Sequence, residues 1–297
     1  MNCIIDNLIA LNCGVLQDVP ARKLSTYGGQ GKIDIVATPK SIKDLKNIAY
    51  LASDLGVNYS ILGAGSNTLI SDSGYKGIVI RVGACIKEAA SNSVQQYPSY
   101  YRISSLANEC KKLGLSGLEP LSCIPASLGG AIVMNAGCYG TNMADIINSV
   151  TVFNMQTGAS YILQNTDIPW GYRSTGNVFN GCIITSATLN LVDSSPYDVS
   201  ENMSYYKAIR QASQPTIPSL GSTFKRVNNI SAAYYIDKCG LKGCSVGGAM
   251  VSVKHAGFIV NYNNGSAADY LALADICKKE VQKQFGIELE KEIIYLS

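Results

Sequence analysis

Hydrophobic and polar positions in the first third of the chain predict a β-α-β unit. Residues 33–37 read as a short buried strand, and Ser41 then opens a helix with Asp44 three positions on. In that spacing a hydroxyl and a carboxylate satisfy the free N–H groups of a first helical turn. Ile42, Leu45, Ile48, Ala49 and Ala52 fall at helical intervals, Gly56 closes the helix, and 57–62 forms the next strand. That strand runs straight into Gly63-Ala64-Gly65-Ser66-Asn67. Residues 77–82 read as a further buried strand and the polar stretch 91–99 as a loop. A short helix is expected over 106–114, followed by a glycine- and proline-rich segment, 117–140, with no regular period; function is expected there.

Farther on, 150–155, 160–163 and 182–191 alternate or run apolar like strands of a second small sheet. The polar stretch 192–200 reads as a linker, a helix follows at 201–212, and the remainder forms its own α+β unit. In the last helix Ser266 and Asp269 form the cap, Tyr270, Leu273, Ala274, Cys277 and Val281 the apolar face, and Gly286 the stop. Residues 287–296 read as a closing strand, and no internal repeat or low-complexity tract is present.

Composition narrows the class. The 297 residues exceed what one core usually supports, roughly 250, so two or three modest domains are expected. With 47% hydrophobic and 15% charged residues, a disordered chain is excluded. The net charge of +3 comes from 24 basic and 21 acidic side chains mixed along the chain, without the basic block that nucleic acid would require. Ten cysteines are scattered without a CxxC pair; they read as buried reduced thiols, and no metal is expected. Residues 1–19 carry Asp6 and lack the basic head of a signal peptide, so a cytoplasmic protein is expected. The uncharged run 120–144 contains Pro125 and four glycines, so it reads as loop and turn, not as a membrane span.

Two segments carry candidate chemistry. Gly63-Ala64-Gly65-Ser66-Asn67 follows a strand, and its glycines permit positive φ and close approach, so that successive N–H groups could face phosphate oxygens; a plain tight turn is the alternative. A dinucleotide fingerprint of the G-x-G-x-x-G type is disfavoured, because Thr68 holds the third glycine position and no helix starts there. The second segment contains Pro125-Ala126-Ser127-Leu128-Gly129-Gly130 and Asn135-Ala136-Gly137-Cys138-Tyr139-Gly140. Two such loops could wrap one extended ligand, or simply pack as tight turns.

Together with Leu24-Ser25-Thr26-Tyr27-Gly28-Gly29, Trp170-Gly171-Tyr172-Arg173-Ser174-Thr175, Gly221-Ser222-Thr223-Phe224-Lys225, Lys254-His255-Ala256-Gly257-Phe258 and Leu289-Glu290-Lys291-Glu292, these loops resemble the UDP-N-acetylenolpyruvoylglucosamine reductase (MurB) family. The resemblance implies an α+β protein: a two-subdomain FAD-binding fold of the vanillyl-alcohol oxidase type, expected at 1–83 and 84–192, plus a C-terminal α+β substrate-binding domain at 200–297. It implies that NADPH reduces FAD and that the reduced flavin reduces UDP-N-acetylglucosamine enolpyruvate, a step of bacterial peptidoglycan precursor synthesis. The cofactor would lie on Gly63, Ala64, Gly65, Ser66, Asn67, Pro125, Ala126, Ser127, Gly129, Gly130, Asn135, Gly137 and Gly140. Arg173 would face the substrate carboxylate, Ser222 would donate the proton and Glu292 would orient the enolic intermediate, with Tyr172 and Lys225 binding substrate. A monomer is expected.

Taken singly, these residues have plainer readings. Arg173 could be an ordinary salt-bridge arginine, Ser222 a turn former, and Glu288, Glu290 and Glu292 three carboxylates on one face of a strand. His255, the one histidine, reads as a hydrogen-bonded structural residue. The chain departs from the family pattern at Ala126, where glycine is usual, and at Val227, where proline is usual. Two other functions stay open at this stage: an FAD-dependent alcohol or sugar oxidase of the same fold, and a weakened flavin or nucleotide-sugar binding module.

Overall fold

The computed structural model describes residues 2–10, 13–83 and 95–297. Cys85 and the first part of the loop expected at 91–99 lie outside the described residues. The chain forms two compact units, Met1–Leu16 with Ile35–Ala64 and Gly77–Ile209, and Gln17–Asp34 with Gly65–Lys76 and Arg210–Ser297.

The β-α-β unit is present. Strands Gly14–Pro20, Lys32–Thr38, Tyr75–Ile80 and Tyr59–Ile61 lie in that order in one sheet, the last two parallel, with Ser60 opposite Val79. Helix Ile42–Asp54 is capped as its sequence indicates, the Ser41 hydroxyl accepting the Asp44 N–H at 3.1 Å. Its Leu45 and Ile48 pack with Ile35, Ile78 and Ile80. The N-terminal helix Asn2–Ala10 adds Ile5 and Leu8 to that core.

A second, antiparallel sheet orders Ser160–Gln164, Ile147–Asn154, Cys182–Leu189 and Gln96–Pro98. All eight residues of Cys182–Leu189 are buried, because the strand lies between two cores. Ile183 and Phe153 face the first core, whereas Ile184, Ala187, Val150 and Val152 face a second built on Leu106, Leu121, Leu128 and Ile132. That burial on both faces explains why apolar residues do not alternate cleanly with polar ones along the strand. Gln96–Pro98, expected as loop, is an edge strand: Tyr97 is buried while the Gln96 amide donates to the Ser186 hydroxyl at 3.0 Å. Three residues are too few for alternation to be visible.

The expected linker at 192–200 is structured. Val192–Asp193 pairs with Leu115–Ser116, and the following helix starts at Pro196, with the Ser195 hydroxyl accepting the Asp198 N–H at 3.0 Å. Proline at the first helical position with serine before it is a start signal that polarity concealed.

The second unit carries a sheet ordered Ser219–Ser222, Phe258–Asn261, Ala249–Val251, Ser245–Val246. Helix Ala267–Phe285 buries Tyr270, Leu273, Ala274, Cys277 and Val281 against this core, as expected. Residues 65–76 belong here: Asp72 accepts the N–H groups of Ala267 and Ala268 at 2.8 and 2.9 Å, and Thr68–Ile70 pairs in parallel with Ile294–Leu296. The closing strand is therefore three residues, not the ten expected from 287–296.

Candidate cofactor and active site

The bend at 63–67 has an unspent row of donors. Among the described residues no hydrogen bond uses the backbone N–H groups of Gly63, Ala64, Gly65, Ser66 or Asn67, and none of the five residues is exposed. Half-buried amides need a partner, and consecutive N–H groups in a glycine bend suit an anion. The backbone is closely approached on both sides of the bend, and at Gly65 glycine is required. A Cβ on Gly63 would fall 2.5 Å from the Ser127 hydroxyl, and one on Gly65, with φ +70°, would fall 1.7 Å from the Leu24 carbonyl oxygen.

The second loop uses its glycines differently. In the helix Leu128–Val133 the first amides are taken, Leu128 donating to the Tyr101 carbonyl at 2.8 Å, Gly129 to the Ser99 carbonyl at 2.8 Å and Gly130 to the Ser127 hydroxyl at 3.3 Å. Gly129 and Gly130 thus serve close packing: a Cβ on either would meet Ser99 or Ser127 at 3.0 to 3.2 Å. Ala126 is accommodated where glycine is usual, its carbonyl accepting the Ile103 N–H at 3.0 Å. Gly140 has φ +87° and open space around it. A row of free amides beside a bend where backbones nearly touch fits a diphosphate-bearing cofactor such as FAD.

Arg173 is held against this second loop. Its guanidinium donates to the Gly137 carbonyl at 2.8 Å and the Asn135 carbonyl at 3.5 Å, and lies 5.0 Å from the centre of the Tyr172 ring. The arginine itself adopts φ +51°, a left-handed conformation that costs a non-glycine residue about 1 kcal/mol. Asn135 is 6% exposed, and its side chain is engaged within the protein.

In the second unit the structure assembles Ser222, Lys225, Glu292 and Asn67. Ser222 ends its strand exposed, while the next residue, Thr223, is buried with its hydroxyl 3.0 Å from that of Tyr270. The Thr223 carbonyl accepts the Glu292 N–H at 2.9 Å, and the Asn67 side-chain amide donates to the Glu292 carbonyl at 3.0 Å. Glu292 is thereby clamped between the serine-bearing strand and the free-amide bend. The Asn67 carbonyl also accepts the Ile294 N–H at 2.9 Å; this role of Asn67 left no mark in the sequence.

The three carboxylates do not share one environment. Glu288 and Glu290 are exposed and pair with Lys278 at 3.7 Å and Lys225 at 2.5 Å, whereas Glu292 is half-buried. The backbone is not a regular strand there, so period two does not apply. Val227, in place of proline, closes a two-residue turn through reciprocal bonds with Ile230 at 2.9 Å, over Asn228 and Asn229 at φ +49° and +64°. This turn needs the N–H that proline lacks.

His255 is structural, as its sequence suggested. Its Nδ1 accepts the Gly257 N–H at 3.1 Å and its ring packs edge-on to Phe258; burial lowers its pKa from 6.5. Of the described cysteines Cys13, Cys110, Cys182 and Cys277 are buried; Cys123, Cys138, Cys239 and Cys244 are partly exposed.

Comparison with known proteins gives this geometry a class and then a family. Residues 33–161 match the FAD binding domain profile, which with the two mixed α/β units defines an FAD-binding protein of the vanillyl-alcohol oxidase type. Residues 212–296 match the profile described as UDP-N-acetylenolpyruvoylglucosamine reductase, C-terminal domain. The chain is 37% identical over 278 residues to the UDP-N-acetylenolpyruvoylglucosamine reductase of Clostridioides difficile (strain 630), covering 93% of this chain and 91% of that protein. To the Geobacillus thermodenitrificans reductase it is 34% identical over 296 residues, 98% and 96% of the two chains. The crystal structure of the Thermus caldophilus reductase superposes with a TM-score of 0.81 at 31% identity, covering 96% of this chain and 99% of that one. This chain belongs to the UDP-N-acetylenolpyruvoylglucosamine reductase family. The family and the α+β FAD-binding fold expected from the motifs are those found.

Proposed function

We propose that this chain reduces UDP-N-acetylglucosamine enolpyruvate to UDP-N-acetylmuramate with NADPH, through bound FAD, using Arg173, Ser222 and Glu292 as its catalytic set. The enzyme class and the FAD requirement follow from family membership; the residue roles are our own reading. When bound, FAD supplies a two-electron relay from NADPH to the vinyl carbon of the enolpyruvyl ether. The observation that carries the reading is the clamp on Glu292, which ties the free-amide bend through Asn67 to the segment next to Ser222.

In this scheme the amides of Gly63 to Asn67 hold the diphosphate, and Pro125, Ala126, Ser127, Gly129, Gly130, Gly137 and Gly140 line the flavin. Reduction of the vinyl group places negative charge on the substrate carboxylate side, where a guanidinium fixed on two carbonyls needs no reorganisation to stabilise it. The exposed Ser222 hydroxyl delivers the proton, since His255 is occupied structurally. Glu292, its backbone immobilised on both sides, orients the enol. Tyr172 packs beside the substrate. Lys225 binds a substrate phosphate, which must compete with the Glu290 carboxylate.

The cofactor-holding segments are assigned to 1–83 and 84–192 and the substrate-holding segment to 200–297. Because NADPH and UDP-sugars are intracellular metabolites, we place the enzyme in the cytoplasm, acting as a monomer and without membrane attachment; no helix among the described residues is long and apolar enough to cross a membrane. The test is Ser222→Ala, assayed anaerobically. NADPH should bleach the variant's flavin at the wild-type rate, while recolouring by the enolpyruvyl substrate slows by orders of magnitude. Equal slowing of both steps would remove Ser222 from the role of proton donor.

A further inference from the structure

We propose that Asn135 is a positioning residue for Arg173, not a ligand of the cofactor. The inference rests on the reading of Arg173 as catalytic. Tyr172 and Arg173 form the tip of a two-residue turn closed by the Gly171 N–H on the Ser174 carbonyl at 2.9 Å and the Ser174 N–H on the Gly171 carbonyl at 3.3 Å. Arg173 sits at φ +51°, where glycine is the relaxed occupant. An arginine held there persists only when its surroundings restrain it.

Asn135 supplies the restraint from both ends of its side chain. Its Nδ2 donates to the Gly171 carbonyl, the base of the turn, at 2.8 Å, and its Oδ1 accepts the Ala144 N–H at 3.0 Å. Its own carbonyl, with that of Gly137, receives the Arg173 guanidinium. A single residue therefore fixes the backbone that presents the arginine and the direction in which the guanidinium points. Asparagine suits the post, because it tolerates the φ of +39° found at this position and offers a donor and an acceptor on one short side chain. Thr175, 3% exposed, makes a parallel tie, its hydroxyl donating to the Val133 carbonyl at 3.0 Å. A side chain buried to 6% exposure and engaged at both ends is committed to the protein interior.

The test is a double-mutant cycle of Asn135→Asp and Arg173→Lys in the FAD-loaded enzyme, reading the rate of flavin reoxidation by the enolpyruvyl UDP-sugar. Aspartate keeps the shape and the acceptor for Ala144 but loses the donor to Gly171. Asn135→Asp should slow reoxidation by about tenfold, as expected for an unpaired buried carbonyl and a misaimed cation. If Asn135 acts through Arg173, the double variant is no slower than Arg173→Lys alone. Slowing that multiplies across the two sites overturns the proposal. So does an Asn135→Asp enzyme that binds FAD more weakly yet reoxidises at the wild-type rate when saturated with it. Should the aspartate variant not fold, Asn135→Gly, which accepts the positive φ while deleting both bonds, takes its place in the same cycle. An Arg173→Lys enzyme with wild-type reoxidation would refute the catalytic reading of Arg173 itself, a separate failure.

Discussion

Replacing Gly63 by alanine should be mild, and the reason can be worked from distances. The new Cβ falls 2.5 Å from the Ser127 hydroxyl, with Gly130 Cα next at 3.5 Å, so a single atom obstructs it. Gly63 does not occupy the left-handed region, so alanine brings no backbone strain. The hydroxyl can rotate away, but it caps the helix Leu128–Val133 through the Gly130 N–H. Loss of a serine cap costs about 1 kcal/mol, a melting shift of roughly 2–4 °C in a protein of this size. Ser127→Ala should cost about the same, and the double variant little more than either alone, because the obstructing atom is already gone. Gly65→Ala is the contrast: its Cβ would lie 1.7 Å from the Leu24 carbonyl oxygen at φ +70°, and backbone on both sides must move. Several kcal/mol and loss of the bend are expected there. Thermal melting with flavin retained through gel filtration reads both effects. Equal damage from Gly63→Ala and Gly65→Ala, or strict additivity with Ser127→Ala, would refute the reasoning.

Two further outcomes concern titration. Burial lowers the folded pKa of His255 from 6.5, so its contribution to stability is full above that value and is lost as pH falls from it through the depressed folded pKa. Melting followed from pH 7.5 downward should therefore show a loss that His255→Gln reduces, and an unchanged pH slope would contradict the burial argument. Burial pushes the thiols of Cys13 and Cys110 up to about 11 and that of Cys277 to about 12. Mild alkylation of the native enzyme near neutral pH, mapped by mass spectrometry, should spare these three and label the partly exposed Cys123, Cys138 and Cys244 first.

The elements most legible in the sequence were those whose local signals agreed. Ser41 with Asp44 and Ser266 with Asp269 each mark a cap before an apolar face, and both helices form as read. What escaped depended on distant partners. The strand Ile294–Leu296 exists because Thr68–Ile70 lies beside it, whereas residues 290–292 meet the segment 223–225 only through an isolated bridge, so the regular strand is three residues long. The start of the helix at Pro196 was hidden because a cap is polar and resembles a linker. At the site, the bend 63–67 and the identities of Arg173, Ser222 and Glu292 were legible as motifs. The side-chain work of Asn67 and Asn135 was not, since each bonds to carbonyls whose position only the fold determines.

The most direct measurement is made on the wild-type enzyme loaded with FAD, without oxygen. One equivalent of NADPH is added, and then UDP-N-acetylglucosamine enolpyruvate, while the flavin absorbance is recorded. The account predicts bleaching by the first and full recolouring by the second, with one UDP-N-acetylmuramate formed per flavin. A flavin that bleaches and stays colourless with the UDP-sugar, yet recolours rapidly in air, would contradict it.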